Sequence, residues 1–227
     1  MIASRTGLSR KEAKAAISAG KVTVGGEILR NSELKVDEND EIFLECKKIN
    51  GKSHIYIVLH KPKGYVSATE DPQQKTVLEL VPPELFRNGL FPAGRLDKDT
   101  TGLMIITDDG DFAHRILAPR KHVSKKYAVT IDLPVTSAME KGFAEGIELN
   151  DGVCKSALLE KTGENTCFVT LSEGRYHQIK RMFGCFGAKV TELHRLAIGG
   201  FTLPGDLPEG KCRELTDEEV ALIEKAR

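Results

Sequence analysis

The sequence predicts an α+β protein in two unequal parts. A small N-terminal helix-plus-hairpin segment precedes a larger domain built on a mostly antiparallel mixed sheet flanked by helices. Three observations carry this expectation. Strand-like and helix-like patterns interleave without the regular strand–helix–strand alternation that a doubly wound parallel sheet requires. A polar, glycine-containing stretch around 48–53 separates the two parts. The 227 residues, 40% of them hydrophobic, suffice for one large packed core and one small one. The expected division is therefore 1–47, a linker at 48–53, and 54–227.

The elements follow in order. Ser9-Arg10-Lys11-Glu12 fits a capping box, and the helix it opens runs through Ala13, Ala15, Ala16 and Ile17 to Gly20. Lys21–Val24 alternates as a strand, turns at Gly25-Gly26 and returns through Glu27–Leu29, with a further strand at Glu41–Leu44. The segment ends near Cys46, and Lys47–Ser53 reads as the linker. Ile55–Leu59 is a buried strand stopped by Pro62, and Leu103–Ile106 is another. Asp111–Leu117 is expected as a helix, Lys126–Leu133 as a strand, and Ser137-x-x-Glu140 as a second capping box. Phe168–Leu171 and Lys189–Leu193 are expected strands, Tyr176–Phe183 a helix, and Thr216-x-x-Glu219 the cap of a last helix.

Composition bounds the function. Lys+Arg and Asp+Glu both number 33, a neutral total that by itself argues against a nucleic-acid partner. Resolved along the chain, the balance is uneven. Arg5, Arg10, Lys11, Lys14, Lys21 and Arg30 face only Glu12 and Glu27 over residues 1–30, and 31–45 is strongly acidic. Arg115, Arg120, Lys121, Lys125 and Lys126 cluster with no acid, and Arg175, Lys180, Arg181, Lys189 and Arg195 make a third basic run. One such run is an ordinary solvated face; three, separated by acidic stretches, point to a phosphate-binding surface. No window reaches the roughly 18 apolar residues of a membrane span, and the N-terminus has no apolar signal core, so a cytoplasmic location is expected. The five cysteines show no C-x-x-C spacing and the six histidines no H-E-x-x-H, so neither disulfides nor a metal is expected. Gly51-Lys52-Ser53 lacks the leading glycine of a P-loop, since Cys46 stands there.

Three motifs carry chemistry. Phe91–Leu103 contains Gly94-Arg95-Leu96-Asp97-Lys98-Asp99-Thr100-Thr101-Gly102, a polar loop feeding an apolar strand, where a carboxylate would be held rigidly. The same composition also fits a plain turn held by Asx hydrogen bonds. Asp97 and Asp99 at i, i+2 are badly spaced for a glycosidase pair. Ser172–Phe183 contains Glu173-Gly174-Arg175-Tyr176-His177-Gln178-Ile179-Lys180-Arg181. Backbone amides near Gly174 could hold an anion there. Ile179, Met182, Phe183 and Phe186 fall at helical spacing as core, leaving Lys180 and Arg181 on the flank for a carboxylate or phosphate. Ser124–Val129 is a basic lead into a strand carrying Tyr127, either a base-stacking ring or a packing residue.

Together these motifs resemble the RsuA-type bacterial pseudouridine synthases, which isomerise uridine in ribosomal RNA, over nearly the whole chain. The resemblance implies that Asp97 is the catalytic residue, that Tyr127 is the active-site tyrosine, and that Lys180 is the basic residue pairing with Asp97. His60–Gly64 and Leu193–Arg195 are also similar to family segments. Residues 5–46 resemble the family's small S4-like RNA-binding domain, except that Met1 falls inside the first helix, which is expected to be cut short. The implied reaction breaks the N1–C1′ bond, rotates the base and rejoins it through C5, with no cofactor. RNA contacts are expected from Arg10, Lys11, Arg95, Arg120, Lys121, Arg175 and Arg181. The implied partner is ribosomal RNA, probed within a pre-ribosomal particle by a monomeric enzyme. The Thr69–Pro72 segment and overall layout favour small-subunit over large-subunit RNA. Two other readings stand beside this one: a non-catalytic RNA-binding assembly factor, and glycoside or nucleoside hydrolysis releasing free uracil.

Overall fold

The structure, a computed structural model, describes residues 2, 6, 8–34, 36, 40–49, 54–118 and 123–225. It divides into two units, Met1–Ile55 with Pro82–Leu90, and Tyr56–Val81 with Phe91–Arg227. Among the described residues no helix is long and apolar enough to cross a membrane.

In the first unit the expected capping box forms. Ser9 Oγ accepts from the Glu12 amide at 3.2 Å, and the Ser9 amide donates to Glu12 Oε2 at 2.7 Å, opening α1 (Arg10–Ser18). Ala13 and Ile17, one turn apart, bury the inner face of α1 in a cluster with Val22, Leu29, Ile42 and Ile49. Strands β1 (Val22–Val24), β2 (Glu27–Ile28), β3 (Ile42–Leu44) and β4 (Lys47–Ile49) form an antiparallel sheet in the order β2-β1-β3-β4. The last of these corrects the linker expectation. Lys47–Ile49 pairs with β3, placing Ile49 opposite Ile42 and inside the core, and two exposed lysines before one isoleucine are enough for an edge strand. The remainder of the expected linker, Asn50–Ser53, lies outside the described residues.

In the second unit the strands are β5 (Tyr56–Lys61), β6 (Phe91–Pro92), β7 (Thr101–Thr107), β8 (Lys125–Ile131), β9 (Glu148–Leu149), β10 (Gly152–Val153), β11 (Leu158–Lys161), β12 (Thr166–Leu171), β13 (Val190–Ile198), β14 (Phe201–Thr202) and β15 (Cys212–Glu214). The helices are α2 (Gly110–Leu117), α3 (Ser137–Glu145), α4 (Gln178–Gly184) and α5 (Asp217–Glu224). The main sheet runs β11-β12-β8-β13-β7-β5-β15, with β14 on β13 and β6 on β7. Its strand pairs are antiparallel except β13 with β7. The α+β expectation holds.

The centre of the sheet is apolar on both faces, which is why β7 reads as an unbroken hydrophobic run. Leu103 and Ile105 join Val58, Phe112, Ile116, Ile198 and Ile223 in one core under α2 and α5. Met104 and Ile106, which alternate to the other face, are equally buried. Two helix starts differ from expectation. α3 is capped by Thr136, whose hydroxyl accepts from the Met139 amide, and Ser137 is its first residue. α4 begins at Gln178, because His177 adopts a left-handed conformation (φ 47°) that ends the preceding turn. The amides near Gly174 are thus not a helix terminus. The short strands β9, β10, β11, β14 and β15 had too little periodicity to be read in advance.

One register positions the chemistry. Across the sheet, Val169, Tyr127, Arg195, Gly102 and Lys61 are successive cross-strand partners on β12, β8, β13, β7 and β5. Such partners project to the same face. Gly102 must be glycine for two reasons. Its φ is +104°, and a Cβ there would come within 2.3 Å of the Arg195 carbonyl oxygen on the adjoining parallel strand. Gly102→Ala is expected to cost about 2–4 kcal/mol, from strain plus overpacking. Urea unfolding checks it: a loss below about 1 kcal/mol would mean that β7 and β13 separate without penalty.

Candidate active site

The loop between Gly94 and Gly102 is clamped from beneath. Lys61, the residue before Pro62, is fully buried at the end of β5. Its ammonium donates to the carbonyls of Pro62 (3.0 Å), Asp97 (3.1 Å), Thr100 (2.8 Å) and, more weakly, Lys98 (3.4 Å). The Gly64 amide donates to the Lys98 carbonyl at 2.8 Å, and Ser67 both donates to and accepts from Leu96 through its hydroxyl. Within the loop the Thr100 amide closes a turn onto the Asp97 carbonyl at 3.1 Å. The backbone carrying Asp97 is thereby fixed from several directions, and its carboxylate, one quarter exposed, is left facing outward.

That carboxylate meets the Tyr176–Arg181 segment. Lys180 Nζ lies 3.0 Å from Asp97 Oδ2 and donates to Asp99 at 2.7 and 2.9 Å. Burial opposes the charge on Lys180, but its bonds to Asp99 and Asp97 outweigh that and raise its pKa. Burial likewise opposes ionisation of Asp99, and the contact with Lys180 outweighs it and holds the carboxyl below its usual range. His177 Nε2 approaches Asp97 Oδ1 at 3.4 Å. The expected Asp97–Lys180 pair is present; Asp99, weighed from the sequence only as a badly spaced partner for Asp97, and His177, given no role there, join it. The Asp-x-Asp spacing was visible, but that one ammonium would bridge both carboxylates depends on the loop's turn.

Tyr127 is buried in the middle of β8, opposite Arg195 and two strands from the loop's exit at Gly102. Arg195, also buried, donates through Nε to the Leu103 carbonyl at 2.7 Å, while its Nη2 has no hydrogen-bond partner among the described residues. His194 beside it meets the Thr101 hydroxyl at 2.8 Å. With Lys61 and Lys125, Arg195 makes a layer of buried cations whose partners are carbonyls rather than carboxylates. Burial, with Arg195 adding to it, brings Lys125 down to about 8; burial also brings Lys61 down to about 8, although Asp99 and Asp97 oppose it.

The expected phosphate-contacting residues fall into three groups. Arg10, Lys11 and Arg95 are exposed. Arg120 and Lys121 lie outside the described residues. Arg175 and Arg181 make contacts within the protein. Arg175 donates to the Gly152 and Val153 carbonyls at 2.8 and 2.6 Å. Arg181 donates to Asp151 at 3.1 and 2.5 Å and to the Tyr176 carbonyl at 3.2 Å. Apart from the Tyr176 carbonyl, these acceptors come from β10 and the turn before it, elements that the sequence pattern does not reveal.

Comparison with known proteins gives a consistent result. A model of RNA pseudouridylate synthases matches residues 55–184, and a model of the S4 domain matches residues 3–42. Ribosomal small subunit pseudouridine synthase A of Escherichia coli (strain K12) is 44% identical over 225 residues, covering 98% of this chain and 97% of that protein. The protein of the same name in Pasteurella multocida (strain Pm70) is 42% identical over 227 residues, 99% of this chain and 97% of that one. A solved pseudouridylate synthase structure superposes with a TM-score of 0.71 at 38% identity, covering 98% of this chain and 96% of that one.

The two buried lysines should respond differently to removal. Lys61→Met strips a shared donor from the loop carbonyls and is expected to cost about 2–4 kcal/mol. Lys125→Met frees one carbonyl, that of Val123, but removes a buried charge, and is expected to be neutral or to stabilise by about 1–3 kcal/mol at pH 7. For Lys125 the folded pKa is below the unfolded one, so between about 8 and 10.5 the unfolded chain binds the extra proton and stability rises with pH. The advantage of Lys125→Met should therefore shrink across that window in urea titrations. An advantage that stayed constant from pH 7 to 10.5 would show that burial does not depress this lysine.

Proposed function

Because the chain belongs to the RNA pseudouridylate synthase family and carries an S4 domain ahead of its catalytic fold, we propose that it isomerises one uridine of small-subunit ribosomal RNA to pseudouridine, with Asp97 as the essential carboxylate. The carrying observation is the Asp97 carboxylate on a clamped loop, 3.0 Å from Lys180 and 3.4 Å from His177. The small-subunit assignment rests on the relatives that are 44% and 42% identical and bear that name.

The reaction exchanges an N1–C1′ bond for a C5–C1′ bond within one nucleotide. Uracil must be detached, turned and rejoined; the C5 proton finally passes to solvent and N1 takes one up in its place. A carboxylate serves either route to detachment, by adding to C1′ or by removing a sugar proton. Both need it correctly aimed, which the Lys180 contact and the Lys61 clamp favour. The target must leave the RNA stack to reach Asp97. Tyr127 fits the role of a ring against the uracil or of a proton carrier at C5. Arg10 and Lys11 on α1, with Arg95 on the loop, are the cations available for phosphates. Arg120 and Lys121 remain candidates for the same role by sequence. The working form is taken as a monomer in the cytoplasm, acting on RNA in an assembling ribosomal particle.

Tritium release from ribosomal RNA made with 5-³H-uridine tests the assignment. Wild type should release tritium and Asp97→Asn should fall by at least about 10³-fold. Equal release by the two would remove Asp97 from its role, and release by neither would favour an RNA-binding factor without chemistry. Free uracil among the products would indicate hydrolysis instead. Mapping pseudouridine in both ribosomal RNAs of a deletion strain identifies the substrate, and a site lost only from large-subunit RNA would overturn that choice. Arg10→Ala with Lys11→Ala should flatten the slope of log affinity against log salt by about 0.7–0.9 for each lost contact. An unchanged slope would take α1 out of the RNA interface.

A further inference from the structure

Tyr176 has no part in the reaction as drawn, yet its neighbour His177 reaches the Asp97 carboxylate. Its ring is 73% exposed. It is not a loose surface side chain: it stacks on the His177 imidazole with centroids 3.8 Å apart and planes at 19°. His177 in turn brings Nε2 to 3.4 Å from Asp97 Oδ1. The two rings therefore form a short stack whose inner end touches the site and whose outer face meets solvent.

The backbone under this stack is held by a set of hydrogen bonds. The Arg175 amide donates to Gln178 Oε1 at 3.0 Å, and Gln178 Nε2 donates to the buried Glu173 at 2.5 Å. Glu173 also accepts from the Lys155 amide at 3.0 Å, and Arg181 donates to the Tyr176 carbonyl at 3.2 Å. His177 is kept at φ 47°, a conformation that a residue with a Cβ rarely adopts and that the surrounding bonds enforce. The turn spends strain to aim two adjacent rings the same way.

We propose that the Tyr176–His177 stack is an RNA subsite: a platform for the nucleobase directly adjacent in sequence to the target uridine. Extruding a uridine leaves its neighbour without a stacking partner, and a flat exposed aromatic face is the surface that replaces one. The neighbour is joined to the target by a single phosphodiester, and the platform is one side chain from Asp97, so the adjacent base is the one within reach. Stacking accepts any base but favours large ones, so the platform biases the enzyme towards a purine at that flank.

The inference rests on Asp97 being the essential carboxylate, and its test separates the two. RNA fragments spanning the mapped uridine carry 2-aminopurine at one flank or the other, and full-length Asp97→Asn protein binds them without turnover. One flank should be quenched on binding, equally with Tyr176→Phe added and much less with Tyr176→Ala added. In the otherwise wild-type enzyme, Tyr176→Ala should raise KM for RNA roughly tenfold or more with kcat changed less than about twofold, and Tyr176→Phe should keep both. Equal quenching with and without the ring, an unchanged KM, or a fall in kcat alone would overturn the platform. The first two outcomes would leave the ring to a protein partner or to no ligand, and the last to positioning His177. Tritium release by wild type and its loss in Asp97→Asn judge the underlying reaction independently of these readouts.

Discussion

The ammonium of Lys61 is the interaction on which the site depends. A cation removed from water must find acceptors, and this one takes the carbonyls of Pro62, Asp97, Lys98 and Thr100. Carbonyls can converge on one point only if the chain carrying them curls around it. The curl of the Asp97 loop is thus imposed from inside, and the outward direction of the Asp97 side chain follows from it. Proline after the lysine fixes where β5 stops, and Gly102 lets β7 lie against Arg195, so the clamp and the loop's exit belong to the same sheet. The cost is visible in the depressed affinity of Lys61 for its proton, a burial effect.

Much of this was legible in the sequence. The capping residues Ser9, Asp97-loop glycines and the apolar run of β7 declare their structure through local chemistry, because each acts within a few residues. The identity of Asp97 and Lys180 as partners was carried by motif resemblance, and their 3.0 Å approach agrees with it. What stayed hidden involves long-range register. That Lys61, Gly102, Arg195 and Tyr127 share one row across four strands depends on pairings between residues as far apart as Gly102 and Arg195, which no periodicity records. The strand Lys47–Ile49 was mistaken for linker because its burial comes from pairing with β3 rather than from its own pattern. The second carboxylate, Asp99, and the imidazole of His177 were in plain view but gained meaning only from the turn geometry.

The charge pattern is also sharpened. A neutral total concealed basic runs, but several of those cations are spent internally. Arg175 and Arg181 hold the turn before α4, Lys180 bridges two aspartates, and Lys63, Arg115 and Lys126 pair with Glu192, Glu224 and Glu160. Exposed pairs of this kind add little stability. Their effect is on recognition, since a cation already beside a carboxylate is a weaker attractant for phosphate. The surface left for RNA is smaller and more selective than the sequence alone suggests.

The place of β13 beside β7 bears on how the protein is made. A chain emerging from the ribosome releases its N-terminal segments first. The four-stranded sheet around α1 is complete once β4 has emerged, whereas the Asp97 loop waits for Lys180 and for Arg195 to enter between β7 and β8. The central strand of the larger sheet is among the last to be synthesised, so the carboxylate cannot be set in its working surroundings until nearly the whole polypeptide is available. A nascent or C-terminally clipped chain would then keep the means to recognise RNA while lacking those to alter it.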